Sequence, residues 1–381
     1  MCGDDPVTAS SPPPCWDHTK ERMRTWLDPR NNSLNLIRLV FALMVLFHHV
    51  GPVTQLVGEF EITPGESVGA WAVFGFFMIS GYLITAARLR SDVGRYLKNR
   101  VVRIFPAFLF INVVTAFLLA PFVYLLDHGT LDGYLTTGPT PISYILGNFF
   151  LYMNQWGIAD TLHNVPYPIA WNGSLWSLYY EFVCYLIVGA LLTIPFFKRH
   201  IWPTAAIFLG TCALRVFLPT ATVYLGTMNG TLDQLSRLLP FFFGGSLLFL
   251  AKDRLSLTTW GALGAAVAAV AIMVVAPHSG PQISAPLLTY VLLWIGQTLP
   301  SPRLFQVHDF SYGIYIWGFP LTQLLTRLGL ADAAPYLVFC AVLFVLTALG
   351  AAFSWFLVER PAMRASRGKK NPFGELRAPA R

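Results

Sequence analysis

Charged residues are scarce in this chain. Asp, Glu, Lys and Arg make up 12% of its 381 residues, whereas 55% are hydrophobic, and a soluble domain usually carries about 25% charged residues. A water-soluble globule of this size would therefore lack the polar side chains needed to cover its surface. The hydrophobic residues also form runs long enough to cross a hydrocarbon layer of about 30 Å. Together these observations predict an integral membrane protein.

Cysteines are few, and none forms a CxxC pair. The five are Cys2, Cys15, Cys184, Cys212 and Cys340, and the last three lie inside apolar runs. An odd number without paired spacing is typical of buried free thiols. Neither a disulfide framework nor a metal site is therefore expected.

The N-terminus lacks the apolar segment of a secretory signal peptide. Residues 1–33 contain acidic residues and a Pro/Ser stretch and are interpreted as a cytoplasmic tail. Residues 34–357 form the predicted transmembrane domain. Residues 358–381 are a basic cytoplasmic tail that is too short to fold alone and that is expected to lie along the anionic inner leaflet.

Ten apolar runs predict an all-α bundle of about ten transmembrane helices, because an isolated segment in lipid must satisfy its own backbone hydrogen bonds. The runs lie near residues 34–56, 68–87, 104–126, 174–197, 201–219, 235–251, 257–277, 283–299, 308–329 and 335–357.

Basic residues are absent from the predicted outer loops. If the N-terminus is cytoplasmic and residues 141–155 do not cross, 22 of the 26 Lys and Arg fall on the cytoplasmic side, as the positive-inside rule describes. A crossing at 141–155 would scatter them over both sides. Residues 141–172 are therefore interpreted as a re-entrant or surface-lying outer segment, with both termini cytoplasmic. This placement of charge also argues against nucleic-acid binding.

Arg38 and His49 are ionisable residues inside the first apolar run, where such groups are costly unless paired or hydrated. They are close to three helical turns apart, so they share a helix face at a separation of about 16 Å. The structural interpretation is a snorkelling anchor for Arg38 and an interhelical hydrogen bond for His49. The functional alternative is a general base, His49, with a cation at the donor end of the same cavity.

Three further polar groups lie at predicted helix ends. Arg100 and Arg103 share a face at the start of the third helix; they either orient the chain only or bind the phosphates of a nucleotide-containing donor. Glu181, one turn into the fourth helix, either caps the interface or supports a histidine or a sugar hydroxyl. Glu359 and Arg360 are predicted to form an interfacial ion pair.

The chain resembles the acyltransferase 3 family of membrane acyltransferases from about residue 33 to residue 362. The resemblance rests on six motifs in order: Arg38 with His49, FFMISGYLI, RxxR with RIFPAF, SLWSLYYEFVCYL, SYGIYIWGFP and FLVERP. Many members carry His where this chain has Gly318, so the contribution of that His is absent here or supplied otherwise. The SGNH esterase-like domain that some members fuse to the C-terminus is not expected.

The resemblance implies O-acylation of a carbohydrate or glycolipid hydroxyl by cytoplasmic acyl-CoA, often acetyl-CoA, in a bacterial inner membrane. Carried over by motif, His49 is the catalytic base, Glu181 supports the acceptor side, and Arg38, Arg100 and Arg103 bind the donor. The expected cavity-lining residues are Ser80, Tyr82, Asn172, Trp176, Ser177, Tyr312 and Tyr315. Transfer is expected in a cavity between the first, third and fourth helices, and Arg38 and His49 are expected to face this shared cavity, which opens to the cytosol. No permanently bound cofactor is expected, and the oligomeric state is open.

Three alternatives remain at the level of sequence. A transporter or flippase of lipid-linked sugars would fit ten helices with midplane polar groups. A non-catalytic membrane partner or sensor would leave Arg38 and His49 without a joint purpose. Within the enzyme class, the acceptor is alternatively a small secondary metabolite.

Overall fold

The computed structural model describes residues 27–28, 31–225 and 230–366. Most of both predicted tails, including Cys2 and Cys15, lies outside these ranges. Within them the regular secondary structure is helical, apart from one antiparallel hairpin of β1 (Glu61–Thr63) and β2 (Glu66–Ser67). The all-α prediction is confirmed for the described residues.

Fifteen helices follow one another in the described part of the chain. They are α1 (Leu34–Thr54), α2 (Val68–Leu89), α3 (Val93–His128), α4 (Pro141–Gly147), α5 (Ser177–Leu191), α6 (Pro195–Arg199), α7 (Trp202–Leu225), α8 (Gly230–Ala251), α9 (Thr259–Val275), α10 (Gly280–Ile283), α11 (Ala285–Thr298), α12 (Arg303–Val307), α13 (Ser311–Arg327), α14 (Leu330–Ala333) and α15 (Tyr336–Ser366). Each predicted apolar run contains one helix of at least 14 residues.

Five of the described helices, α1, α2, α3, α8 and α15, are long and apolar enough to cross a membrane, and α5, α7 and α9 contain shorter apolar stretches. This composition is that of a multi-pass membrane protein. The count of ten crossings and the cytoplasmic position of both termini stay predictions.

The third helix begins eleven residues earlier than its apolar run. Asp92 is the N-cap, and its carboxylate accepts a hydrogen bond of 2.9 Å from the backbone N–H of Arg95, which satisfies one of the free donors of the first turn. The charged stretch before residue 104 is therefore helical, and Arg100 and Arg103 lie two to three turns inside α3 rather than at its start.

Residues 141–172 contain one seven-residue helix, α4, which is about 11 Å long and too short to cross a bilayer. The remainder is irregular, and its side chains form a separate apolar cluster with the second half of α3 that includes Tyr124, Tyr144 and Trp171. This packing holds the irregular backbone against the bundle. Its re-entrant or surface-lying position in a membrane stays a prediction.

Helices α2 and α8 pack very close together because a glycine on each helix faces the backbone of the other. A Cβ at Gly81 would overlap the carbonyl oxygen of Phe242, and a Cβ at Gly245 would overlap that of Met78. The glycine of the Ser-Gly pair in the FFMISGYLI motif therefore allows close helix packing, as small residues commonly do in membrane bundles.

The cysteines at 184, 212 and 340 are buried free thiols.

Candidate active site

Two hollows lie along α1, one at each end of the stripe that carries Arg38 and His49. The arginine cavity has a volume of about 90 Å³ and contains Arg38, whereas the aromatic hollow has a volume of about 580 Å³ and contains His49. The prediction of one shared cavity is therefore wrong. Arg38 and His49 lie on one face of α1, but they line different spaces.

The arginine cavity is bounded by α1, α2, α3, α5 and α13. Its polar lining residues are Arg38, Arg100, Arg103, Ser177, Glu181, Tyr185, Ser311, Tyr312 and Tyr315. The aromatic hollow is bounded by the end of α1, the irregular segment before α5, and α13. Its lining residues are His48, His49, Pro52, Glu59, Trp156, Tyr167, Pro168, Ile169, Ala170, Gly173, Trp176 and Phe319.

A thin wall (Trp176, Ser177, Tyr315 and Phe319) separates the two spaces. Trp176 and Ser177 are adjacent in the chain, yet Trp176 lines the hollow and Ser177 lines the cavity. One turn apart on α13, Phe319 lines the hollow and Tyr315 lines the cavity. The Tyr315 hydroxyl donates to the carbonyl oxygen of Ser174 at 2.6 Å and lies 2.6 Å from Ser177 Oγ. These bonds fasten the start of α5 to α13.

His49 presents a free ring nitrogen to the aromatic hollow. Its Nδ1 lies 2.7 Å from the carbonyl oxygen of Val45. A carbonyl oxygen only accepts, so Nδ1 carries the proton, and the neutral imidazole keeps its lone pair on Nε2. The ring of Phe319 packs edge-on at 5.0 Å between centroids and fixes the orientation of the imidazole.

His48 differs from His49 although both line the hollow. Its Nε2 lies 3.4 Å from the hydroxyl of Ser67, which is the N-cap of α2. Nε2 of His48 therefore has a hydrogen-bond partner, whereas Nε2 of His49 is free. Of these two histidines, His49 is the one that has a bonded Nδ1 and a free Nε2.

Arg103 is locked into a buried charge cluster. Its guanidinium pairs with the carboxylate of Asp309 and lies 3.4 Å from Glu359 Oε2, and Arg38 Nη1 lies 3.6 Å from Asp309 Oδ2. The side chains of Asp309 and Glu359 are 11% and 2% exposed. Two cations and two anions balance, so this charge hub (Arg38, Arg103, Asp309 and Glu359) has little net charge to offer a ligand.

The predicted ion pair between Glu359 and Arg360 is wrong. Glu359 lies in a π-helical turn of α15 and points into the bundle, where Ser354 also donates to it at 3.1 Å. The next residue projects about 100° away on a helix, and the guanidinium carbon of Arg360 lies 5.9 Å from the ring centre of Phe356 instead.

Arg100 is the cation of the arginine cavity that is left without a carboxylate among the described residues. Its guanidinium carbon lies 5.9 Å from the ring centre of Tyr185, and its Nε is buried without a hydrogen-bond partner. The two arginines of the RxxR motif therefore differ. Arg103 is neutralised within the fold, whereas Arg100 keeps donors for an anionic ligand.

Glu181 lies in the arginine cavity, across the wall from His49. Its Oε1 accepts hydrogen bonds from Ser80 Oγ at 2.5 Å and from Tyr185 Oη at 2.6 Å. The expected support of the acceptor side is therefore not seen, since Glu181 faces the side of the arginines. Ser80 holds this carboxylate and does not itself line the cavity.

The other residues predicted to line a cavity divide between the two spaces and the core. Tyr312 lines the arginine cavity, and its hydroxyl donates to the carbonyl oxygen of Ile104 at 2.8 Å. Tyr82 lines neither space and packs edge-on against Phe249 at 5.3 Å. Asn172 is fully buried; its Nδ2 donates to Tyr144 Oη at 2.6 Å, so it anchors the irregular segment.

Sequence reasoning missed most of the aromatic hollow. Trp156, Tyr167 and Phe319 were not assigned, nor was Glu59 beside them. The first two lie in irregular backbone without periodicity, and the available signal was the density of aromatic residues in a Pro- and Asn-containing segment.

Gly318 stands where many members of the family that the chain resembles carry histidine, and a larger side chain here would have to displace the end of the Leu46 side chain. Gly318 faces α1, and a Cβ at this position would lie 2.7 Å from Leu46 Cδ1. Leu46 therefore occupies the space into which a larger side chain would project.

The chain is similar in sequence to known proteins. A family model described as an acyltransferase domain matches residues 31–358. The chain is 28% identical over 361 residues to an O-acetyl transferase of Shigella phage Sf6, covering 89% of this chain and 98% of that protein. It is 28% identical over 372 residues to nodulation protein 10 of Rhizobium leguminosarum bv. viciae, covering 87% and 93%. No solved structure matches the chain.

Proposed function

The chain belongs to the acyltransferase family whose model spans residues 31–358, as its six motifs predict, and we propose that it transfers an acyl group, foremost acetyl, from acyl-CoA to a hydroxyl of a carbohydrate or glycolipid. The observation that carries this proposal is the imidazole of His49, held at Nδ1 and open at Nε2, in a hollow lined by aromatic rings. The name of the phage relative supports acetyl as the group and oxygen as the acceptor atom.

The donor binds on the side of the arginine cavity. Arg100 offers its guanidinium to the CoA phosphates, because a planar fork of donors matches phosphate oxygens. Arg38 and Arg103 act differently in this proposal: their ion pairs with Asp309 and Glu359 fix the cavity wall from which Arg100 projects. Under the predicted orientation this end of the bundle faces the cytoplasm, where acyl-CoA is made.

The acceptor binds in the aromatic hollow. Rings of Trp156, Tyr167, Trp176 and Phe319 line it, and such rings offer apolar faces to the C–H surface of a sugar while Tyr and Trp keep polar edges for hydroxyls. A volume of about 580 Å³ lies in the range of ordinary small-molecule sites.

The chemical step is a direct transfer. His49 Nε2 takes the proton of the acceptor hydroxyl while the oxygen attacks the thioester carbonyl carbon. The tetrahedral intermediate collapses with cleavage of the C–S bond, giving the acyl ester and the CoA thiolate. The proton on the imidazolium then passes to the thiolate sulfur or to solvent, which restores neutral His49. No covalent acyl-enzyme is required.

The wall must open for donor and base to meet. The acyl end of the pantetheine arm is narrow, and it reaches His49 in this proposal by displacing the aromatic side chains of Trp176 and Phe319. The hydrogen bonds of Tyr315 to Ser174 and Ser177 then keep α5 and α13 together while these rings move.

The test is His49→Ala in membranes supplied with acetyl-labelled acetyl-CoA. Removal of a positioned base lowers the rate by about 10²–10⁴-fold. His48→Ala is the matched comparison, since its Nε2 faces Ser67, and it should lose much less activity. Equal rates for the two variants, at equal amounts of folded protein, would remove His49 from the chemistry.

A transporter of lipid-linked sugars is the second candidate, because two hollows on opposite sides of a thin wall also suit alternating access. It predicts movement of the sugar without consumption of acetyl-CoA. Release of CoA thiol that depends on a hydroxyl acceptor favours the enzyme, and mass spectrometry of the labelled product distinguishes a carbohydrate from a small metabolite.

A further inference from the structure

One acidic side chain, that of the exposed residue Glu59, lines the aromatic hollow. Among the described residues that line it, Glu59 is the sole carboxylate, and there is no Lys or Arg. The remaining lining groups are aromatic rings, prolines, small residues, one isoleucine and two histidines. A ligand in this space therefore meets negative charge and no fixed positive charge.

The arginines at the same end of the bundle do not change this balance. Arg237 forms a bidentate pair with Glu66, Arg215 lies 3.1 Å from Asp233, and Arg327 pairs with Asp127. Each guanidinium is thus matched by a carboxylate of the fold. In contrast, no described Lys or Arg pairs with Glu59.

The arrangement disfavours an anionic ligand. A carboxylate in the hollow would lose part of its hydration beside Glu59, and two like charges at close range repel each other unless water screens them. An uncharged hydroxyl or an amine suffers no such penalty, because it donates a hydrogen bond to the Glu59 carboxylate. The aromatic rings accept either kind of sugar equally, so the discrimination comes from Glu59.

We propose that the sugar unit seated in the aromatic hollow carries no negative charge, and that Glu59 rejects uronic acids and other acidic sugars while it accepts a hydrogen bond from an uncharged or amino-bearing one. This inference rests on the proposed function, because it names the acceptor class of the same hollow. Glu59 is a specificity-determining residue here and takes no part in the proton transfer.

The experiment uses the full-length chain in lipid nanodiscs with three probes: methyl glucoside, methyl glucuronide and methyl glucuronamide. The last two differ only in a carboxylate against a neutral amide of the same shape. Binding is measured by the change in tryptophan fluorescence that is lost in the Trp156→Phe variant, since Trp156 lines the hollow, and transfer is measured by label from acetyl-CoA. We expect the glucuronide to bind at least about tenfold more weakly than the glucuronamide.

Two variants assign the effect to Glu59. Glu59→Gln should bring the ratio of the two dissociation constants close to one, and Glu59→Lys should favour the glucuronide. Glu61→Gln is the control, since its carboxylate lies two residues away in β1, accepts from the backbone N–H of Gly65 and does not line the hollow; it should keep the native ratio.

Equal binding of glucuronide and glucuronamide by the native chain would overturn the inference, as would an unchanged ratio in Glu59→Gln or the absence of binding by all three glycosides. Failure of the proposed function has a different signature. In that case the binding preference persists in the fluorescence measurement, while no labelled acetyl reaches any glycoside.

Discussion

Helix α1 lines both the arginine cavity and the aromatic hollow, but the two spaces differ in size and in the charge of their lining residues. The cavity is small, about 90 Å³, and rich in ionised groups, whereas the hollow is large, about 580 Å³, and contains rings and one carboxylate. Under the proposed function, the charged groups lie at the donor end, and the neutral imidazole of His49 lies at the acceptor end. The contrast shows that the spacing of Arg38 and His49 sets two sites apart and does not join them.

A second contrast lies inside the RxxR motif. Arg103 forms ion pairs with Asp309 and Glu359. Arg100 lies over the ring of Tyr185, and its buried Nε has no hydrogen-bond partner. One residue of the motif holds the fold and the other is open to a ligand. Three predictions test these contrasts.

The largest effect is expected from Arg103→Ala. Removal of one partner from a buried ion pair typically costs about 3–5 kcal/mol, because it leaves a buried charge unpaired, and here two carboxylates lose a cation. Thermal unfolding in detergent should show a large loss of stability. Arg95→Ala is the control, since Arg95 is 76% exposed and pairs only with exposed Asp92. If the two variants unfold alike, the charge hub does not stabilise the bundle.

Arg100→Ala should leave the fold intact and weaken donor binding. Hydrogen bonds to a charged group contribute about 1.5–3 kcal/mol, so the KM for acetyl-CoA should rise by about 10- to 150-fold with a smaller change in kcat. Arg100→Lys should recover part of the loss, since the charge remains and the planar fork does not. An unchanged KM in a well-folded Arg100→Ala variant would exclude Arg100 from the donor site.

The smallest effect is expected from Gly318→His, which introduces the residue that the family resemblance assigns to this position. The new side chain meets Leu46 Cδ1 within 2.7 Å at its Cβ, and overpacking of this kind costs about 1–3 kcal/mol. Combination with Leu46→Ala should recover stability by making room. Full stability of the single variant would show that α1 and α13 are less tightly packed than the structure indicates.

The helices were predictable from the sequence because their signal is local. Each apolar run is long enough to be recognised from hydropathy alone, and each overlaps a long helix. The boundaries were less predictable: α3 starts at Val93 because Asp92 caps it, which hydropathy does not register. The shared face of Arg38 and His49 followed from helix geometry, because both residues lie in α1.

The partners within the site were not predictable, because they are distant in the chain. Asp309 is 206 residues from Arg103 and lies in a polar connection with no distinguishing pattern. The division into two spaces depends on Tyr315 and Phe319, whose direction is set by the rotation of α13 against α1. A helix stripe predicts which residues share a face, and only neighbouring helices decide what that face meets.

The charge hub also bears on how the protein is made. Its last member, Glu359, is separated from Arg103 by 256 residues, which a ribosome adds in tens of seconds at about 5–20 residues per second. Until α15 has packed into the bundle, Arg103 lacks the carboxylate of Glu359, which is one of its two partners. A polypeptide that stops short of the final helix therefore lacks one partner of Arg103, and the charge hub is complete only when synthesis ends.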